Sequence, residues 1–348
     1  MKLFQSVGDY FALDIGVSAV RAVKLRGSGS SWELESCGSV PINAKVATSD
    51  APEDRKKLSE AIATLIGQSG IDAKNVIVGI PSHKMFATVI DLPDMPKSDL
   101  DATLRYQSEQ YIPMNLDESK VDWALLGKSP NDPSKNEVLI VSVANAFSED
   151  RLDLIEGLGL NVVALEPDSL AIVRALVQPG TKGAQLIVNV GHSSTDIIAT
   201  FDDNPRLIRA LPVGLMSLTK SIEQRLSVDD KQALQFLLKF GVVSDKLEGQ
   251  LYHAVESILD QFAGELTKSI TFFETRYPNI KISSIVMSGY GETIPGFAQY
   301  VGTKTNLSTV ASDPWSSIAC KPDQQEKLRV DGSSYVVALG LAKRGYSV

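Results

Sequence analysis

Two short passages place small residues beside a carboxylate or a carboxamide, where a bound anion could be handled. Phe11 to Leu25 aligns with Leu186 to Thr200 at a constant offset of 175 residues, which pairs Asp14 with Asn189, Gly16 with Gly191 and Ser18 with Ser193. In each copy an apolar run enters a turn of small residues and a second run leaves it. That is the pattern of a β-hairpin whose tip has few side chains to obstruct a ligand. Backbone N–H groups in tight turns point at anionic oxygens, so two such hairpins suit a nucleoside phosphate. Asp14 would repel a phosphate unless a cation lay between them. It reads either as an outer-shell Mg²⁺ ligand acting through water or as an Asx-type turn residue.

Elements must hold these turns in place. Apolar residues recur at helical spacing over Leu58 to Ile66, Ser98 to Tyr111, Ser148 to Leu158 and Asp168 to Leu176. Ser98 and Ser148 read as N-caps, and Pro113 ends the second of these helices. A longer amphipathic pattern runs from Leu247 to Phe273, with a kink expected near Gly264. A third glycine passage, Ile282 to Gly291, is an apolar strand ending in a turn, after which Pro295 should sit just inside the start of a helix. Strands alternating with helices predict α/β domains. The rhythm breaks between Lys84 and Asn145, where strand Phe86 to Asp91, helix Ser98 to Tyr111, and strands Lys120 to Leu126 and Val138 to Val143 read as an inserted subdomain. Its exposed hairpin loop is Lys128 to Asn136.

The composition narrows the function classes. The chain has 348 residues, 43% hydrophobic and 22% charged, which fits a folded protein of more than one domain. Its net charge of -8 lacks the basic footprint of a nucleic-acid binder. Cys37 and Cys320 are too few for a disulfide framework or a thiolate metal site and read as free thiols. His83, His192 and His253 have no metal-ligand spacing; His192, in the second turn, reads as a solvated turn residue or a phosphate contact. Met1 to Phe11 lacks the apolar core of a secretion signal, and no apolar run approaches the roughly 20 residues that cross a bilayer. Met1 to Phe4 reads as a frayed end, an added strand or a membrane-surface contact.

Asp14-Ile-Gly16 with Arg21, the Gly191 turn, Ser288-Gly-Tyr-Gly291 with Pro295-Gly296, and Ala338-Leu-Gly-Leu-Ala342 resemble the actin-like ATPase superfamily in order and spacing. Four further passages narrow the resemblance: Val78-Gly-Ile-Pro-Ser82, Leu92-Pro-Asp-Met-Pro96, Tyr111-Ile-Pro113 with Leu116-Asp-Glu118, and Pro212-Val-Gly214 with Leu218-Thr219. Together they are similar to the PilM family of type IV pilus assembly proteins, a relative of FtsA, over essentially the whole chain. The resemblance implies an α/β, two-lobed actin-like fold of duplicated ribonuclease-H-like domains. Residues 1–83 and 146–180 would form the first lobe (1A), with 84–145 the inserted 1C-type subdomain. Residues 181–220 and 277–348 would form the second lobe (2A), and 221–276 a helical subdomain (2B).

It also implies ATP or ADP with Mg²⁺ in the cleft. Asp14, Gly16, Val17, Ser18 and Arg21 match the first phosphate loop, with Arg21 where a lysine is usual. Gly191, Ser193, Ser194 and Thr195 match the second, but Asn189 stands where the family has an acid. Gly289, Tyr290 and Gly291 match the adenosine turn, where Tyr290 replaces a glycine and its ring either stacks on the base or fills its place. Leu234 and Leu237 replace polar nucleoside contacts. Weak or absent ATPase activity is the expectation, and any orienting of water would fall to Glu166 or Asp168. The alternative for Asp168 is an ordinary residue at a helix N-terminus.

The implied partner is the amino-terminal cytoplasmic peptide of a PilN-like membrane protein, held in a groove beside the inserted subdomain. Tyr106, Tyr111 and Ile112 either line that groove or pack the core. Pilus motor ATPases are further partners, and the expected location is cytoplasmic, peripheral to the inner membrane through the partner. Two other readings belong to the same superfamily. An active ATPase or small-molecule kinase would need a substrate-positioning acid beyond Asp14. An FtsA-like cell-division protein would carry an amphipathic membrane helix where this sequence has Ala342-Lys-Arg-Gly-Tyr-Ser-Val348.

Overall fold

The computed structural model describes residues 9–29, 31–322, 324, 325, 328 and 332–344, with the side chains of residues 97 and 105–109 outside that set. The expectations for Met1 to Phe4, for the last four residues and for the side chain of Tyr106 therefore lie outside the described residues. Two compact units divide the chain: Met1–Ala175 with Ser317–Leu328 and Val337–Val348, and Leu176–Ser316 with Arg329–Val336.

The first unit opens with three antiparallel strands, β1 (Tyr10–Ile15), β2 (Ala19–Ser28) and β3 (Ser31–Pro41). Short α1 (Ala44–Thr48) and α2 (Pro52–Ser69) follow. Helix α2 begins earlier than apolar spacing indicated, because Pro52 opens it, Glu53 and Asp54 suit its positive end, and Gly70 closes it. Strand β4 (Asn75–Ile80) then returns parallel to β1. The insertion comprises β5 (Met85–Pro93), α3 (Lys97–Tyr111), β6 (Ser119–Lys128) and β7 (Lys135–Ala144), in a three-stranded sheet of order β5-β7-β6. The chain leaves it through α4 (Asn145–Glu156), β8 (Asn161–Pro167) and α5 (Asp168–Leu176). Neither serine caps its helix. Ser98 and Ser148 lie inside α3 and α4, and the Ser148 hydroxyl donates to Asn145 O because β7 runs directly into α4 at Ala144.

The second unit repeats the plan. Strands β9 (Ala184–Val190), β10 (Thr195–Phe201) and β11 (Asn204–Leu211) are antiparallel. Helices α6 (Leu215–Leu226), α7 (Asp230–Phe240) and α8 (Gln250–Arg276) follow. Then come β12 (Ile282–Gly289), α9 (Tyr290–Thr293), α10 (Phe297–Thr305) and β13 (Ser308–Ala311), with β12 parallel to β9 and β13 parallel to β12. The sheet order β11-β10-β9-β12-β13 matches β3-β2-β1-β4-β8 strand for strand in direction. Helix α8 runs unbroken through Gly264 and starts at Gln250, since Leu247 and Glu248 before it are left-handed. Pro295 stands outside α10, which starts after Gly296 at φ +79°.

Each unit has its own core. Phe11, Leu13, Ile62, Leu65 and Val78 centre the first, Ile90, Leu104 and Ile140 the inserted subdomain, and Leu237, Val255, Phe262 and Phe297 the second unit. Burying each such side chain contributes roughly 1.5–3 kcal/mol. Assigning 277–348 to the second lobe needs correction. Strand β14 (Ile318–Ala319) pairs with β3, and the closing helix Val336–Ala342 packs on α5, where a side chain at Gly340 would collide with the Ala171 carbonyl.

Candidate functional site

The two glycine turns are built alike. Gly16 N–H donates to Ala19 O at 3.1 Å, and Gly191 N–H donates to Ser194 O at 2.9 Å, the same bond at the same offset. A Cβ at Gly16 would lie 3.0 Å from Ala19 O, a tight contact, and one at Gly191 2.8 Å from Ser194 O, too close for a side chain unless the turn shifts. The turns join the carboxyl end of one strand to the next, the edge of an α/β sheet where ligands bind.

Their charges differ. In the first hairpin Asp14 and Arg21 face each other in register, and Arg21 Nη1 lies 3.8 Å from Asp14 Oδ2. Asp14 is only 7% exposed. Val17 and Ser18 form the half-buried tip, with Ser18 O accepting from Ile42 N–H. In the second hairpin the facing pair is Asn189 and Asp196, and Asn189 Nδ2 donates to Asp196 Oδ2 at 3.3 Å. The acid missing at Asn189 thus stands across the hairpin, on the position equivalent to Arg21. Sequence reasoning missed Asp196, although the offset that paired Asp14 with Asn189 also pairs Arg21 with Asp196.

Ser193 and Ser194 are half-buried members of the second turn. Thr195 is not available to a ligand, because its buried hydroxyl donates to Val213 O at 2.7 Å and fastens the turn to the segment before α6. Leu215 N–H and Met216 N–H donate to the carbonyls of Gly191 and His192. Burial pushes the His192 imidazole pKa down, against the opposing field of Asp230.

The adenosine-type turn lies next to these groups in the second sheet. Ser288 is paired with Asn189 and Gly289 with Val190, and Gly289 takes φ +64° where β12 breaks into α9. Tyr290 packs against the core of the second unit, as Leu234 does, while Gly291 and Leu237 are buried. The α7 face that would offer polar nucleoside contacts is therefore built into the core. At the end of the turn, the amide and hydroxyl of Ser312 donate to Glu292 Oε1, and Ser312 Oγ lies 3.3 Å from Ser288 Oγ.

Glu166 is not placed to orient water. It is 1% exposed, and its oxygens lie 2.6 Å from Arg174 Nη2 and 3.4 Å from Arg344 Nη1. Arg174 also donates to Gly340 O, so this ion pair fastens the closing helix. Asp168 opens α5 with its carboxylate against Gly79 of β4. Of the groove candidates, Ile112 is 3% exposed within the core of the inserted subdomain, and Tyr111 packs half-buried on the same core.

Two sheets of one order, each led by a hairpin with a glycine-closed turn, place this chain in the class of actin-like ATPase-fold proteins. A family model described as type IV pilus assembly protein PilM matches residues 12–346, and the chain belongs to that family. Solved structures show the same fold. One of the PilM-PilN type IV pilus biogenesis complex is 22% identical at TM-score 0.83, over 98% of this chain and 99% of that one. Ethanolamine utilization protein EutJ from Carboxydothermus hydrogenoformans is 12% identical at TM-score 0.54, over 98% and 92%. MreB5 of Spiroplasma citri, in its ADP-bound structure, is 12% identical at TM-score 0.50, over 95% and 94%.

Proposed function

We propose that this chain is an adaptor of a type IV pilus machine that captures the amino-terminal peptide of a PilN-like membrane protein, with a bound nucleotide as a structural or switching ligand. The family match over residues 12–346 carries this reading. Among the described residues no helix is long and apolar enough to cross a membrane. The inserted sheet offers an edge for capture. Strand β6 lies at its border, and Val121 (37% exposed) and Leu125 (53% exposed) flank Trp123 on one face. Strand addition along β6 would supply main-chain bonds, with apolar contacts selecting the peptide.

ATP or ADP with Mg²⁺ is the ligand class that each turn, taken by itself, suits by its chemistry. The Gly16 turn carries a balanced Asp14 and Arg21, so its N–H groups can take a phosphate directly. The Gly191 turn carries Asp196 across from Asn189, an acid that would hold Mg²⁺ through water. Mg²⁺ would neutralise phosphate charge there, and the N–H groups of a turn would orient a phosphate. Because Glu166 is tied to two arginines, turnover is slow or absent.

Titration calorimetry of the full chain with a PilN-like amino-terminal peptide tests the adaptor reading. Saturable heat, weakened about tenfold or more by Leu125→Asp, is expected, tenfold being about 1.4 kcal/mol. No heat from the folded protein would overturn it.

A further inference from the structure

The inserted subdomain is rooted at two crossings. The chain leaves β4 through Pro81 and the 3₁₀ turn Ser82–Lys84, and it returns from β7 straight into α4. Arg151 of α4 is only 7% exposed, yet among the described residues no hydrogen bond or ion pair holds its guanidinium, and Nε is buried without an acceptor. A buried charged donor left unpaired is costly, so such groups normally have a partner.

The surroundings of Arg151 show which partner would suit. Helical side chains lean toward the N-terminus, and Arg151 Cζ lies 5.2 Å from the ring centre of Phe147, one turn back. The guanidinium is thereby laid over the first turn of α4. Lys84 Nζ approaches the same ring at 5.8 Å and likewise has no ion pair among the described residues. Helix α4 has 12 residues, no side-chain cap and no acidic residue in its first turn, whereas α2, α5 and α7 all open with one. Ser82 Oγ, on the incoming crossing, is buried without a partner. The carboxylates of Asp150, Asp168 and Asp50 act on Arg151 through space, and Arg55 opposes them. Asp150 is committed to Arg55 at 2.5 Å.

We propose that the first turn of α4, with Arg151 and Lys84, is a binding site for a small oxyanion, a phosphate or a carboxylate. The helix end supplies N–H groups and positive potential. Arg151 supplies a planar fork beside the Phe147 ring, and Lys84 a mobile point charge. The oxyanion would provide the acceptor that Arg151 lacks and would bridge the two crossings, steadying the root of the subdomain.

Arginine Nε–H NMR of the full chain tests the proposal, with the Arg151 signal identified by its loss in Arg151→Lys. Inorganic phosphate and acetate are titrated separately against chloride at equal ionic strength. A saturable shift of the Arg151 signal is expected with one of the two anions, and the stronger one names the ligand class. Lys84→Ala, at an exposed position that leaves the fold intact, should weaken that anion about fivefold. If both anions shift the signal no more than chloride does, or if Lys84→Ala leaves the affinity unchanged, the site is refuted. Neither result bears on peptide binding.

Discussion

At the residue scale, one exchange changes the charge of the two hairpins. The Asp14 and Arg21 pair of the first hairpin becomes Asn189 and Asp196 in the second, so a neutral pair is matched by a pair carrying one negative charge. A ligand at 100 times its dissociation constant stabilises the folded state by about 2.7 kcal/mol, enough to follow by thermal unfolding. ATP should raise the unfolding midpoint of the parent more with Mg²⁺ than without it. Asp196→Asn should remove that Mg²⁺ dependence, while Asp14→Asn should retain it. The reverse pattern would return the metal to Asp14. The glycines of both turns were legible in the sequence, because small residues between apolar runs mark a hairpin wherever it lies in the chain. The fate of Glu166 was not legible, since Arg174 reaches it only when α5 folds back along β8, and Arg344 only after the closing helix has docked.

At the element scale, the end of β13 is tied to α9 by Glu292. Burial pushes this carboxyl up, outweighing the hydrogen bonds from Ser312 that favour its charged form, and Asp313 adds to the rise. Its folded-state pKa lies above its unfolded value, so the folded state holds the proton more tightly, and this group's contribution grows as pH falls through the raised pKa. Glu292→Gln should therefore unfold at an equal or higher midpoint than the parent at pH 7, with that advantage shrinking toward pH 5. Thermal scans across that range check the sign, and an advantage that grows on acidification would contradict it. The elements themselves were largely legible. Apolar spacing located α3 to within one residue, but it missed the first turns of α2 and α4, where polar and small residues carry the helix. Ser98 and Ser148 looked like caps because the sequence does not show that the chain before each is already helical.

At the scale of the whole molecule, two units with separate cores should unfold as two transitions. Gly340→Ala should lower only the transition of the first unit, because the added methyl meets the Ala171 carbonyl where the closing helix crosses α5. Calorimetry distinguishes this from a uniform loss, which would show that the units unfold together. The sequence by itself determined the α/β class, the duplicated glycine hairpins, the insertion and the family, since these rest on local patterns and their order along the chain. Tertiary structure alone decided that Ser317–Leu328 and Val337–Val348 return to the first unit, that Thr195 and Glu166 serve the fold, and that Asp196 stands opposite Asn189. Each of these depends on which side chains meet across long sequence separations or across a strand register, and periodicity along the chain carries no record of those meetings.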